Sequence, residues 1–456
     1  MAAAPERFVE TNKERLLEEL KAFLRIPSIS TDPEHAGDIA CAAKFVADSL
    51  RAAGMEHVEV IPTANHPLVY ADWLHAPGKP TVLCYGHYDV QPPDPLEEWT
   101  TPPFDPVVRN GNLYARGSAD DKGQMYMHIK AVEALRAATG TLPLNLKFLI
   151  EGEEEVGGAS ITKYLEEQPE KLKCDVALVS DTAMYAAGVP TLTVGLRGLI
   201  YLEVEAKGPS RDLHSGLYGG AAPNPIFGLA QLLAKAKDEH GRILIPGIYD
   251  DLARPAPEEK ASWERLGFDE SEFLKAEVGS EGLTGEPGFS VLERLWARPT
   301  FEVHGIAGGF TGPGAKTVIP ARATAKVSFR LVPNMDPDKV IAAFREFVAA
   351  NKPEGIRTEV RVLSASPAVR VNPDHPAIRA GARVFGEVFR RDTVFIRDGA
   401  SVPIVGDFSK FLGVPSVMMG FGLPDDGLHS PNEKFCIDNY YLGIVTIAKF
   451  LEQYGQ

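Results

Sequence analysis

The chain has 456 residues, 44% of them hydrophobic and 24% charged, enough for two or three hydrophobic cores of ordinary size and typical of a soluble globular protein. A formal net charge of -15 argues against nucleic acid or an anionic membrane surface as the main partner. No run of about 18 apolar residues is present, so no segment is expected to cross a membrane.

The first residues, MAAAPERFVETNKERLLEEL, lack the apolar core of a signal peptide and turn into an acidic helix. The apolar positions Leu16, Leu17, Leu20, Phe23 and Leu24 recur at helical spacing, which predicts a helix over 10–24 that ends before Pro27. A second helix is expected over 38–53. Strand-like runs follow at 57–61, 67–73 and 81–85, the last entering GHYDV. Residues 122–137 read as helix, 144–150 as strand, 160–167 as helix and 175–179 as strand. This alternation predicts an α/β fold, a mostly parallel sheet flanked by helices.

Beyond Pro190 the rhythm changes. Strands are expected at 191–196 and 199–206, then a helix over 225–237. Residues 238–299 are charged and broken by Pro and Gly, and read as loops and short helices. Strands at 323–331 and 357–363 flank a helix near 337–350. A helix over 375–389, a strand ending at Phe421 and a helix over 438–454 then resume the first pattern. The expected organisation is a catalytic domain formed by 1–197 and 367–456, with an inserted α+β domain over 198–366. Cys41, Cys84, Cys174 and Cys436 are widely spaced, with Cys84 and Cys174 in apolar runs suited to buried thiols. This favours a reducing compartment, and cytoplasmic localisation is the expectation.

Five residues sit just after predicted strands or at strand-to-helix turns: His87, Asp120, Glu155 in EGEEEVGG, Asp181 in VSDTAM and His429 in DDGLHSPNEK. The carboxyl ends of strands in an open parallel sheet share one edge, so residues far apart in sequence can meet there. Imidazole and carboxylate donors suit zinc, manganese or cobalt, and one carboxylate can bridge two ions. Three carboxylates against two divalent cations leave one positive charge, which a hydroxide neutralises. Each residue also has an ordinary reading. Asp120 could cap the helix that begins at Lys122, and the acidic run 151–155 could be a solvated turn.

The segments GHYDVQP, RGSADDKG, EGEEEVGG, DLHSGLYGG, KTVIPARATAKVSFRLVPNM and DDGLHSPNEK resemble, in order and nearly end to end, those of a co-catalytic metallopeptidase family. That family includes carnosinase, cytosolic nonspecific dipeptidase and acetylornithine deacetylase, and the likeness is strongest to its carnosinase-like dipeptidase branch. The resemblance implies two metal ions per subunit, zinc in the first place. His87, Asp120 and Asp181 would hold one and Asp120, Glu155 and His429 the other. It implies a cis peptide bond between Asp120 and Asp121, Glu154 as general base and Asp89 as the residue that orients His87. Arg330 would grip the substrate carboxylate, with Thr317 and Ser401 as further substrate contacts. His214 would reach the active site of a partner subunit in a homodimer formed through the inserted domain. The expected activity is hydrolysis of the peptide bond of dipeptides. The alternatives are an N-acyl amino acid deacylase or carboxypeptidase of the same family and, in another class, a non-catalytic metal-binding homologue. Asp181 bears on the choice, because dipeptidase relatives tend to carry Asp there and deacylases and carboxypeptidases Glu.

Overall fold

The computed structural model describes residues 4–456, which form two compact units. One comprises residues 4–194, Val371–Ile396 and Ile404–Gln456; the other comprises Gly195–Arg370 and Arg397–Pro403.

The first unit is built on a sheet whose strands run in the order Glu56–Ile61, Leu68–Trp73, Asn145–Glu151, Thr81–His87, Val176–Val179, Ser416–Met418, Thr191–Leu196. Its centre is parallel: Thr81–His87 pairs in parallel with Asn145–Glu151 and Val176–Val179, and Val176–Val179 with Ser416–Met418. These strands are buried along almost their whole length, as uninterrupted apolar runs require when both faces are covered. The first two strands are antiparallel to each other and to the parallel centre, because short turns rather than crossover helices join them. Helices Ala4–Leu24, Lys122–Thr139 and Ile437–Tyr454 pack on one another. Their shared face includes Leu16, Leu20, Phe23, Ile129, Ile444 and Ile447, all essentially inaccessible to solvent. Each such side chain contributes about 1.5–3 kcal/mol.

The second unit is an antiparallel sheet in the order Thr300–Gly308, Arg322–Leu331, Gly198–Lys207, Arg357–Ser366. Period-two alternation puts Ile200, Leu202, Val204 and Ala206 beside Ala323, Ala325, Val327 and Phe329 in one core. Helices Pro225–Ala236 and Pro337–Asn351 cover that core, and each begins with Pro after a capping Asn224 or Asp336. Strand Thr300–Gly308 was not foreseen: it is mostly exposed and carries glycines, so no apolar alternation marks it. Three short strands were also missed, Val107–Arg109, Asn112–Tyr114 and Lys434–Cys436, which form a small sheet of their own. All four cysteines are free; Cys84 is buried, whereas Cys174 is only half-buried.

Candidate metal centre

Strand ends deliver the candidate ligands. His87 is the last residue of its strand and lies in register with Glu151, the last residue of the neighbouring strand. Asp181 follows Val179, which pairs with Tyr85 on one side and Met418 on the other. Glu155 lies four residues beyond Glu151, and the chain after Met418 leads to the loop bearing His429. One sheet edge therefore gathers four segments distant in sequence.

Their side chains form two triads that share Asp120: His87, Asp120 and Asp181, and Asp120, Glu155 and His429, with donor atoms in each within 4.8 Å of one another. Nε2 of His87 lies 3.1 Å from Oδ1 of Asp120, and Nε2 of His429 lies 2.9 Å from Oδ2. The two oxygens of one carboxylate thus face separate triads, the arrangement a bridging ligand needs. Nε2 of His87 is 3.9 Å from Asp181, and Nε2 of His429 is 3.4 Å from Glu155. His87 is fully buried and His429 exposed, so the centre runs from the protein interior to solvent. The Asp120–Asp121 peptide bond is cis. Asp120 does not cap the helix at Lys122, where no side-chain cap forms.

The electrostatics suit cations. Burial pushes the Glu154 carboxyl up to about 8, against the pull of His87 and with the charges of Asp181, Glu155 and Asp120 adding to the rise. Burial and Asp120 raise Glu155 to about 7. Burial also disfavours the charged form of Asp120, yet hydrogen bonding to His429 and His87 outweighs it and holds that carboxyl low. Burial, with Asp181 beside it, pushes Asp121 well up. Carboxylates crowded beyond what two imidazoles can balance fit a pair of divalent cations.

Asp89, fully buried, serves both sides of the centre. Its Oδ1 is 3.4 Å from Nδ1 of His87, and its carboxylate accepts the N–H groups of Glu154 (3.3 Å) and Glu155 (3.1 Å). The acidic run is therefore divided by function. Glu151 accepts a hydrogen bond from the Tyr85 hydroxyl, and Glu153 accepts from the N–H groups of His66 and Ser160 at the start of helix Ala159–Glu167. Glu154 and Glu155 remain for the centre.

Two further residues went unnoticed in the sequence. Gln124 donates to the carbonyls of Ala119 (3.0 Å) and Thr182 (3.2 Å) and accepts from the N–H of Phe421 (2.7 Å), tying together the loops that carry Asp120 and Asp181. Glu433 holds the Asp120 loop from below. Their only sequence signal is a polar residue where burial is expected, beside a candidate ligand.

The remaining candidates lie in the second unit. His214, exposed, opens a short helix by accepting the N–H of Gly216 (3.0 Å). Thr317 lies next to it on the paired ribbon, its carbonyl accepting the Ser215 N–H (3.0 Å). Arg330 donates to the Ser401 hydroxyl (2.9 Å), which in turn donates to the carbonyl of Arg197. Burial lowers the pKa of Arg330.

Comparison with known proteins gives the family. Residues 83–453 match the family described as Peptidase family M20/M25/M40. The chain is 33% identical to the Cys-Gly metallodipeptidase DUG1 of Candida albicans over 98% of its length and 96% of the relative's. It is 32% identical to the human Beta-Ala-His dipeptidase, over 99% of this chain and 92% of that one. Among solved structures, the M20 family metallo-carboxypeptidase Sso-CP2 of Sulfolobus solfataricus is 33% identical with a TM-score of 0.87, covering 96% of this chain and 99% of that one.

Proposed function

Because the chain belongs to peptidase family M20/M25/M40, we propose that it is a metal-dependent dipeptidase, hydrolysing the peptide bond of dipeptides with two divalent cations held in the two triads. The observation that carries this reading is the placement of His87 and His429 against opposite oxygens of Asp120. Held there, divalent cations would supply Lewis acidity and lower the pKa of a bound water. Zinc is the first choice for mixed imidazole and carboxylate donors, with manganese or cobalt as substitutes.

The chain's own groups do the rest. Burial holds Glu154 at about 8 without cations, and cations in the cluster would favour its carboxylate form and draw that value down. That carboxylate can take the proton of the attacking water and return it to the departing amine. Asp89 fixes the imidazole of His87 and, through the two N–H groups it accepts, the direction of Glu154 and Glu155. Arg330, steadied by Ser401, grips the substrate carboxylate, and Thr317 adds a polar contact. His214, exposed beside Thr317, neutralises the oxyanion in the partner subunit of a homodimer assembled through the second unit. Four free thiols support a cytoplasmic location.

Metal analysis together with a panel of free dipeptides, N-acetyl and N-succinyl amino acids and N-blocked dipeptides tests the assignment. About two cations per chain and fastest turnover of free dipeptides, abolished by chelation and restored by zinc, are the expected result. Turnover that survives exhaustive chelation refutes it. Preference for N-blocked substrates moves the assignment to a carboxypeptidase or deacylase, the reading that the likeness to Sso-CP2 would favour.

A further inference from the structure

Glu433 is fully buried, and each of its oxygens accepts two hydrogen bonds. Oε1 takes the main-chain N–H groups of Ala119 (2.9 Å) and Asp120 (3.1 Å). Oε2 takes the N–H of Gly117 (2.9 Å) and the guanidinium of Arg116 (2.8 Å). The main-chain carbonyl of the same residue accepts the N–H of Ala115 (3.1 Å). One buried carboxylate thus takes three main-chain N–H groups and the Arg116 guanidinium of the turn that delivers Asp120. The turn has no regular secondary structure to satisfy them otherwise.

Glu433 also belongs to the loop that presents His429, four residues earlier. That loop is unusual in its backbone: His429 and Asn432 both lie in the left-handed region, at φ 60 and 62. Asn432 anchors it by accepting the N–H of Thr100 (2.8 Å) and donating to the carbonyl of Glu98 (2.8 Å). Immediately after Glu433, strand Lys434–Cys436 pairs with Asn112–Tyr114, just upstream of the Asp120 turn. The two loops that supply Asp120 and His429 are therefore joined at Glu433, with Nε2 of His429 2.9 Å from Asp120.

We propose that Glu433 is the positioning residue of the centre: by fastening the Asp120 turn to the His429 loop, it sets the separation of two ligands and thereby the affinity for metal. This rests on the metal-dependent reading above. The carboxylate form is required, not merely the shape. A glutamine of the same size has one acceptor oxygen and one NH2, and that NH2 would face two donors at hydrogen-bond distance. The turn must then move away, and Asp120 with it.

The test is metal binding by competition against a chromogenic chelator, with zinc alone as the probe, on wild type, Glu433→Gln and Arg116→Met. Arg116→Met removes one of the four donors and leaves the three N–H groups, so it is the milder change and decides the matter if the glutamine variant does not fold. Glu433→Gln is expected to weaken zinc binding about 10–100-fold, the usual effect of removing a group that orients a metal ligand, and Arg116→Met by less. At saturating zinc kcat recovers while the KM for dipeptide stays at the wild-type value, a split that a general folding defect does not produce. Wild-type zinc affinity in both variants overturns the proposal. A wild-type protein that binds neither zinc nor manganese nor cobalt overturns the metal-dependent reading instead, so the two failures are distinct.

Discussion

Replacing Glu154 by Gln should sharply slow turnover and at the same time stabilise the metal-free protein. In the absence of cations the Glu154 carboxyl stands at about 8, against 4.5 for an ordinary glutamate, chiefly because it is buried. An acid whose folded value is raised holds its proton in the folded state while the unfolded chain has already released it. Folding is therefore unpenalised below pH 4.5, and stability falls as pH rises from there to about 8. At pH 7 the interval above 4.5, at about 1.4 kcal/mol per pH unit, amounts to about 3 kcal/mol. Glu155, raised to about 7, adds a second proton to the same slope. Glutamine keeps the shape of Glu154 and removes its charge. Urea denaturation of chelated protein at pH 5, 6, 7 and 8 should show wild type losing stability across the series. The Gln variant should lose less, standing about 3 kcal/mol above wild type at pH 7 and nearly level with it at pH 5. With zinc restored, kcat should be about 10²–10⁴-fold lower than wild type at unchanged metal content. Equal stability of the two apo proteins at pH 7, or parallel pH slopes, refutes the electrostatic account, and an unimpaired kcat removes Glu154 from the proton transfer.

Arg330→Met should raise the KM for dipeptides about 10–100-fold, the worth of a hydrogen bond to a charged group, while leaving dipeptide amides unaffected; steady-state kinetics on matched pairs checks it. His214→Ala subunits mixed with Glu154→Ala subunits should recover part of the activity that each lacks alone, read in isolated mixed dimers. No recovery there means that the histidine acts within its own chain. Gly420→Ala should destabilise the protein and weaken metal binding together, because its Cβ would stand 2.1 Å from the carbonyl oxygen of Thr182, next to Asp181. Thermal melts with and without zinc would show the coupling as a smaller metal-induced rise in Tm.

The candidate ligands stood out in the sequence because of where they stand. His87, Asp120, Glu155 and Asp181 each follow an apolar run or open a helix, and a parallel sheet gives such positions one shared edge whatever their separation along the chain. The run EGEEE was only partly legible. Its glutamates look alike in sequence, yet Glu151 faces the Tyr85 hydroxyl, Glu153 starts a helix and Glu154 and Glu155 turn to the centre. Gln124 and Glu433 left only a faint local trace, since most of their partners are groups tens to hundreds of residues away. Strand Thr300–Gly308 was illegible for a related reason: its stability comes from hydrogen bonds to Arg322–Leu331 rather than from a buried apolar face.

What the sequence determined alone is the alternation of strands and helices and the chemistry of the groups at their ends, because periodicity and side-chain type are local properties. What only the tertiary structure decided is distance. That Oδ1 of Asp120 meets His87 and Oδ2 meets His429 depends on hydrogen bonds between remote segments, through Asp89, Gln124 and Glu433. Those bonds exist only once the sheet has brought the segments together.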